Sequence, residues 1–393
     1  MFVTACASAA RADERAAEAT APRPPTGATI ETSAELSTYA DTMDVTVVSP
    51  TARLGTRDED AGYGVGLRYL VDVVSAASAD IVSTASARWQ EVRHAVSVDA
   101  DYTRDDLRGA LSGGVSIEPD YQSLNIGATP SVNLDRDHIT LTAGYAFGHD
   151  TIGRAHTSFD DFHRTLVRHQ MGVGASFVLG PSSLLWIGAD AIIERGDQSK
   201  PYRYVPMFDA SVAPSVPRGA SIDLVHALRR DERPLEQLPT ARDRYAGTLR
   251  FLHRSSWSTL RLEERVYADS WSQVASTTSA RYAMDLSSRT TLAPDVRVHL
   301  QSGASFWARA QSVVEDGGVL VLPRFRTGDR ELGPLTTITV GAELRLQLTP
   351  PATANRVAIV LRLAGIRTDF FDALFVTDRN AVFSAVGFDG AFR

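Results

Sequence analysis

The sequence predicts an all-β protein: a transmembrane antiparallel β-barrel of about sixteen strands in up-and-down order. Three observations carry that expectation. Apolar and polar residues alternate with period two in segment after segment. The intervals between those segments alternate short and long. No run of about 18 apolar residues is present to cross a membrane as a helix.

The clearest strand is 337–349. Ile338, Val340, Ala342, Leu344, Leu346 and Leu348 fall on one face, and Thr337, Thr339, Gly341, Glu343, Arg345, Gln347 and Thr349 on the other. A soluble sandwich buries its apolar face and wets the other. A membrane-spanning strand of about 10 residues turns the apolar face to lipid and the polar face to a lumen. Recurrence along the chain selects the second arrangement.

In order, the expected strands are 28–41, 44–54, 61–75, 89–102, 107–118, 120–134, 137–149, 164–179, 182–196, 242–254, 257–269, 274–287, 295–309, 336–349, 355–369 and 380–392. At 137–148, Ile139, Leu141, Ala143, Tyr145 and Phe147 oppose Thr140, Thr142, Gly144 and Gly148. At 183–194, Leu185, Ile187, Ala189, Ala191 and Ile193 oppose Trp186, Gly188, Asp190 and Glu194. At 295–309, Val296, Val298, Leu300, Ala304 and Phe306 oppose Arg297, His299, Gln301, Ser305 and Arg309. At 355–368, Val357, Ile359, Leu361 and Leu363 oppose Arg356, Arg362 and Thr368. Short turns follow even strands: Thr103–Asp106, Gly180-Pro181, Ser255-Ser256 and Pro350–Ala354. Longer loops follow most odd ones: 76–88, 150–163, 197–241, 310–335 and 370–379; 41–43 and 118–120 are short exceptions. Short turns at one rim and long loops at the other suit an outer-membrane barrel with periplasmic termini and extracellular loops.

Composition agrees. A chain of 393 residues with net charge −7 and scattered Arg lacks the clustered basic face that nucleic acid requires. Cys6 is the single cysteine, so no disulfide forms within the chain. Ala10-Arg11-Ala12 before Asp13 reads as a cleavage site, making 1–12 the remnant of a signal peptide; Val3-Thr4-Ala5-Cys6 also resembles a lipoprotein cleavage box. Residues 13–27 are expected to be a disordered, Ala/Pro-rich lead, and 28–393 a single barrel domain.

One stretch stops being generic. Pro201-Tyr202-Arg203-Tyr204-Val205, Glu236-Gln-Leu-Pro239, Arg242-Asp-Arg244 and Tyr267-Ala-Asp269-Ser-Trp271 follow one another, with Asp72-Val-Val-Ser-Ala-Ala-Ser78 upstream. This order resembles a family of uncharacterised outer-membrane β-barrels of Gram-negative bacteria, catalogued as a domain of unknown function, over residues 40–393. The resemblance implies the fold and the outer membrane, and no established activity. It also implies neighbours among small lipoproteins and flavin-bearing periplasmic redox proteins.

Three sets of residues could carry chemistry. By parity Arg244, Arg250, Arg261, Glu263, Arg265, Asp269, Arg297, Arg309, Glu343, Arg345, Arg356 and Arg362 point into the lumen. They either brace the wall as cross-strand ion pairs or form an anion-attracting constriction. Tyr202, Arg203, Glu236, Arg242, Arg244, Tyr267, Asp269 and Trp271 gather at one rim, where they pin a loop or grip a ligand. Arg203 is expected to pair with Glu236 or Asp269, pinning a 197–241 loop that has little apolar area of its own. His149, His156 and His163, with Asp150, Asp160, Asp161 and His169, crowd one loop, but their spacing fits no familiar metal site. No G-x-S-x-G framework occurs, and His94 faces away from Ser97, so no enzyme and no cofactor is expected. The resulting expectation is a channel or transport protein for a small solute, in outer-membrane lipid. The alternative is a sheath around a small lipoprotein or periplasmic redox partner.

Overall fold

The computed structural model describes residues 27–76, 89–154, 156–317, 319–350 and 353–393. The expected cleavage remnant and most of the Ala/Pro-rich lead therefore lie outside the described residues, as does most of the 76–88 loop.

Sixteen strands close into one antiparallel barrel. They are β1 (Thr29–Asp41), β2 (Thr46–Asp58), β3 (Tyr63–Ala76), β4 (Trp89–Arg104), β5 (Leu107–Glu118), β6 (Tyr121–Leu134), β7 (Ile139–Ile152), β8 (Arg164–Gly180), β9 (Ser183–Gly196), β11 (Ala241–Arg254), β12 (Ser258–Asp269), β13 (Val274–Ser287), β14 (Thr290–Gln301), β17 (Leu335–Gln347), β18 (Arg356–Phe370) and β19 (Asp378–Phe392). β1 pairs with β19 from Ile30↔Phe392 to Asp41↔Ala381, which closes the sheet. Three further strands, β10 (Met207–Asp209), β15 (Gln311–Asp316) and β16 (Val319–Val321), lie outside the barrel.

The face assignment is as the alternation predicts. Leu111 (64% exposed), Val173 (63%), Ile126 (62%), Val340 (61%) and Leu363 (61%) stand on the outer surface. A belt of exposed apolar side chains is a liability in water and the required surface in lipid. At mid-strand the belt also carries Glu264, whose carboxylate accepts a bond from the Ser276 hydroxyl at 2.6 Å.

One strand lies elsewhere than expected. β14 spans Thr290–Gln301, not 295–309. Pro294 sits inside it. Having no N–H, it is skipped in the ladder to β13, which resumes in the same register from Arg281↔Asp295 to Met284↔Leu292. Beyond Gln301 the alternation continues for a different reason. Ala304 is buried against Leu238 and Trp271, and Phe306 packs beside them, in a cluster beyond the strand rather than on the outer wall.

Both barrel ends, Thr29 and Phe392, lie at the rim of short turns 59–62, 105–106, 135–138, 181–182, 255–257 and 288–289. The opposite rim carries 153–163, 197–240, 302–334 and 371–377, together with the tight connections 42–45, 119–120 and 270–273. Gly196 marks where β9 leaves the wall. Its φ is +130°, and a Cβ there would meet the Thr165 carbonyl oxygen at 2.1 Å.

The long loops build a cap. β10 runs parallel to β15, and β15 pairs with β16. Ser221 caps helix α1 (Ile222–Leu228) by accepting from the Leu224 N–H. Val205, Met207, Phe208, Val216 and Val225 are each at most 1% exposed. Phe208, Val216 and Val225 pack with Ala310, Leu374 and Phe375. The 197–240 loop, expected to have little apolar area of its own, is held in a shared core assembled from three connections that are distant in sequence.

Candidate functional site

The site begins at the rim. Asp269 ends β12, and its carboxylate is fully enclosed. Oδ2 accepts from Arg242 Nε (2.8 Å) and Nη2 (2.6 Å) and from the Tyr267 hydroxyl (2.8 Å). Oδ1 accepts from the backbone N–H groups of Trp271 and Gln273, each at 2.9 Å. The Arg242 guanidinium lies 4.1 Å from the Trp271 ring centroid and also donates to Gln273 Oε1 at 2.8 Å. Every acceptor site of the buried carboxylate is used, which is what makes such a network rigid.

Above it lies a second hub. Glu236 is 5% exposed. It accepts from the Lys200 backbone N–H (2.9 Å), the Thr327 hydroxyl (2.6 Å) and Arg203 Nη1 (3.3 Å). Arg203 makes its shorter contact, 2.6 Å, with Asp329. The expected Arg203–Glu236 pair is therefore present. Asp269 is committed to Arg242 instead, and Asp329 was not singled out by sequence. Burial alone would raise the Asp329 carboxyl. The charge and hydrogen bond of Arg203, the Glu331 N–H and the Lys200 charge outweigh it and hold the group below its usual 3.8.

The 197–240 connection crosses the mouth. It leaves and rejoins the wall between β9 and β11. On one side Tyr202 donates its hydroxyl to Asp120 in the β5–β6 turn. On the other, the N–H groups of Gly219 and Ala220 reach the carbonyls of Ala373 and Leu374, between β18 and β19. These anchors stand six strand intervals apart one way round the barrel and ten the other. A loop held at both bridges the opening.

The lumen below carries a charge ladder. Arg244 meets Glu194 at 2.6 Å, Arg265 meets Asp190 at 2.6 Å, and Glu263 takes both Arg250 (2.7 Å) and Arg261 (2.9 Å). Arg281 meets Glu343 at 2.9 Å, Arg345 meets Asp389 at 2.7 Å, and Arg362 meets Asp295 at 3.7 Å. Arg356, at the short-turn end, is engaged as well. Arg309 is the correction in this set. It belongs to the cap, where it meets Asp372 at 2.6 Å, because β14 ends before it. Arg297 faces the lumen as expected and is exposed there.

The histidine candidates do not converge. His163 bonds the Phe159 carbonyl oxygen at 2.8 Å, and His156 lies in the 153–163 loop at φ +59°. His149 is on the outward parity of β7. His169 packs on the outer face against Tyr145 and Phe147, while Asp150 turns inward to Arg168 at 2.9 Å. Among the described residues it is Glu91, Glu118 and Asp120 that bring three metal-type ligand atoms within 4.8 Å of one another. That cluster lies beneath Tyr202, and no spacing in the sequence announces it. His94 bonds the Tyr69 hydroxyl on the outer wall and does not meet Ser97. A different pair, Ser183 Oγ and His253 Nδ1, stands 2.9 Å apart on that wall near the short-turn rim.

A closed barrel with an apolar outer belt and a charged interior is a transmembrane barrel of the outer-membrane type, since closure leaves no unpaired strand edge facing lipid. The chain belongs to the family described as "Protein of unknown function (DUF3570)", which matches residues 84–363. No curated protein sequence matches the chain. Similar solved structures include the siderophore receptor PirA from Acinetobacter baumannii, at 10% identity and TM-score 0.43, covering 88% of this chain and 54% of that one. The chain thus spans about half the receptor's length. The CymD monoaromatic hydrocarbon channel is 8% identical, TM-score 0.44, with 94% and 89% covered. OccK11 (OpdR) of Pseudomonas aeruginosa is 10% identical, TM-score 0.42, with 93% and 96% covered. No residue role or cargo is carried from them to this chain.

Proposed function

We propose that this barrel is a diffusion channel for a small polar solute, with the 197–240 and 302–334 connections narrowing its extracellular mouth. The observation that carries the reading is a wetted interior. Inward residues well inside the barrel are exposed to solvent: Ser112, Asn125 and Thr129 on one wall, and Arg297, Arg345, Arg362 and Glu35 on another. A sheet of sixteen strands is wide enough to leave an aqueous path. The test is conductance of the purified protein in planar bilayers. Discrete openings that grow when 206–232 is replaced by a short Gly/Ser linker support the reading. Silence from a correctly folded barrel, cap present or removed, overturns it. Epitope tags in 153–163 and 302–334 are expected to be reached by antibody on intact cells, and a tag in 348–355 is not.

A second reading uses the same lumen. A cap at one rim and, among the described residues, only short turns at the other also suit a vessel open to the periplasm, holding a small lipoprotein or a periplasmic redox protein. It predicts a barrel that conducts only when that protein is withdrawn.

A further inference from the structure

We propose that Arg297, with the hydroxyls of Ser279 and Thr339, forms an oxyanion subsite in the lumen, taking a carboxylate or phosphate group of the passing solute. The inference rests on the channel reading and names the solute's chemistry. Its starting point is an imbalance. On the inner wall of β11–β18, Arg242 and Arg254 pair with Asp269 and Asp285. Arg244, Arg265 and Arg345 pair with carboxylates of β9 and β19, and Arg356 is engaged at the short-turn end. The remaining Arg250, Arg261, Arg281, Arg297 and Arg362 face Glu263, Asp295 and Glu343, an excess of two cations. Glu263 is shared by two guanidinium groups and Glu343 is bonded by Arg281. Asp295, two residues from Arg297 on the same face, lies 3.7 Å from Arg362 and leaves its Oδ1 outside any hydrogen bond among the described residues. Arg297 is left over. Among the described residues no carboxylate pairs with it, and its side chain is exposed to the lumen.

Its neighbours suit an anion. Ser279 and Thr339 are its direct partners on β13 and β14's other neighbour β17, so all three side chains stand at one level of the same inner face. Neither hydroxyl has a hydrogen-bonding partner among the described residues. One step toward the cap, Thr277 and His299 are bonded to each other at 2.8 Å and add no negative charge. A planar guanidinium flanked by two uncommitted hydroxyls matches an oxyanion's several lone pairs. The position lies near the middle of β14, where a solute cannot pass without entering its field.

One inward carboxylate, Glu35, is also without a described partner, and it is too distant to serve. Its level runs through Gly387, Val360 and Arg345 to Thr291 on β14. That point is six residues along the strand from Arg297, roughly 20 Å, and four strands around the wall, roughly 19 Å.

The experiment uses the full chain in planar bilayers with a KCl gradient, adding inorganic phosphate or succinate as the probe. A calorimetric titration of the detergent-solubilised protein with the same anions runs in parallel. Both anions are expected to block the current, and the one with the lower half-blocking concentration identifies which oxyanion class is carried. Arg297→Gln should raise that concentration about tenfold and move the reversal potential toward cation selectivity, with Arg297→Lys between it and wild type. Arg297 leaves no charge orphaned when replaced, so the variant should fold. Glu35→Gln should change the reversal potential while leaving block unchanged. If current flows but block and reversal potential ignore Arg297, the subsite is wrong and the channel stands. If no current flows yet calorimetric binding depends on Arg297, the channel is wrong and the subsite stands. If neither depends on Arg297, the subsite is overturned.

Discussion

Two walls of the same lumen solve the same problem differently. From β5 to β8 the inner face away from the rims carries Ser112, Asn125, Gly127, Thr129, Ser131, Thr142, Gly144, Gly172 and Gly174. From β9 to β18 it carries the arginine–carboxylate ladder. Both wet the lumen, and neither needs an apolar core. The neutral wall confines its cross-strand side-chain bonds to its two ends, Thr140 with Asn133 at one and Asp150 with Ser123 and Arg168 at the other, and among the described residues shows none between them. The charged wall ties strand to strand: Arg265 on β12 reaches Asp190 on β9 across β11, and Arg281 on β13 reaches Glu343 on β17 across β14. The difference teaches that the ladder stiffens one side of the cylinder, and that a cation left outside it, Arg297, is not required for that stiffness.

The hardest way to break the contrast is at the most enclosed rung. Glu194→Ala removes the carboxylate 2.6 Å from the Arg244 guanidinium, whose side chain is 10% exposed. Removing one member of an enclosed pair is expected to cost about 3–5 kcal/mol. Ser112→Val on the neutral wall should stay within about 0.5 kcal/mol. Urea unfolding in vesicles reads both, and equal costs would mean that the ladder is ornament rather than brace. Next in size is the contrast between inside and outside. Leu344→Arg places a charge in the lipid belt and is expected to cost about 2–4 kcal/mol, while Gln347→Arg on the lumen side of the same strand should be mild. Matching shifts in heat-modifiable gel mobility would undo the face assignment.

A smaller effect is expected at the cap. Arg203→Lys keeps the charge and loses the planar fork between Asp329 and Glu236, at a cost of about 1–2 kcal/mol. Protease nicking between 205 and 235 should rise about tenfold while the barrel stays folded. Acid should do the same to the wild type. A carboxyl held below its usual value stabilises the cap fully above that value and loses the contribution as pH falls through the folded one. Opening should therefore appear below about pH 3.8 and not near neutrality. Nicking that rises instead between pH 5 and 7 would show that Asp329 is not the titrating pin.

How much of this was legible differs by region. The wall was legible because each strand meets the same requirement, so period two repeats with every crossing. It failed at 295–309, where Pro294 hid the true start and Ala304 and Phe306 kept the period while packing against Trp271 and Leu238. The rim motifs were legible as a cluster but not as bonds. Arg203 could be assigned to Glu236 within one loop; Asp329 lies in another connection, which only the folded cap brings near. The cap core was invisible, since Phe208 and Val225 meet Ala310 and Leu374 from two other loops. Arg297 looked like every other inward arginine. Its isolation is a property of register across β13, β14 and β17, which no single strand encodes.

The smallest expected effect sharpens the comparison at the point where the cap touches the neutral side. Tyr202 donates its hydroxyl to Asp120, at the turn joining β5 to β6, while the same loop is held on the other side by Gly219, Ala220 and Arg218 against 373–377. Tyr202→Phe keeps the ring and removes the donor. Asp120 is close to Glu91 and Glu118, so the lost bond also removes a group that offsets mutual repulsion among three carboxylates. The cost is expected near about 1 kcal/mol, the middle of the range for a single hydrogen bond and below that for a charged acceptor, since Asp120 is only half-buried. Hydrogen exchange locates it. The Gly153 N–H, bonded to the Asp120 carbonyl, should exchange about fivefold faster, while the Glu236 N–H, bonded to the Arg203 carbonyl, should hold. If both accelerate together, the cap moves as one body and the Glu236 hub does not isolate its two ends. If neither changes, the neutral side takes no part in holding the cap, and the loop hangs from the charged half of the barrel alone.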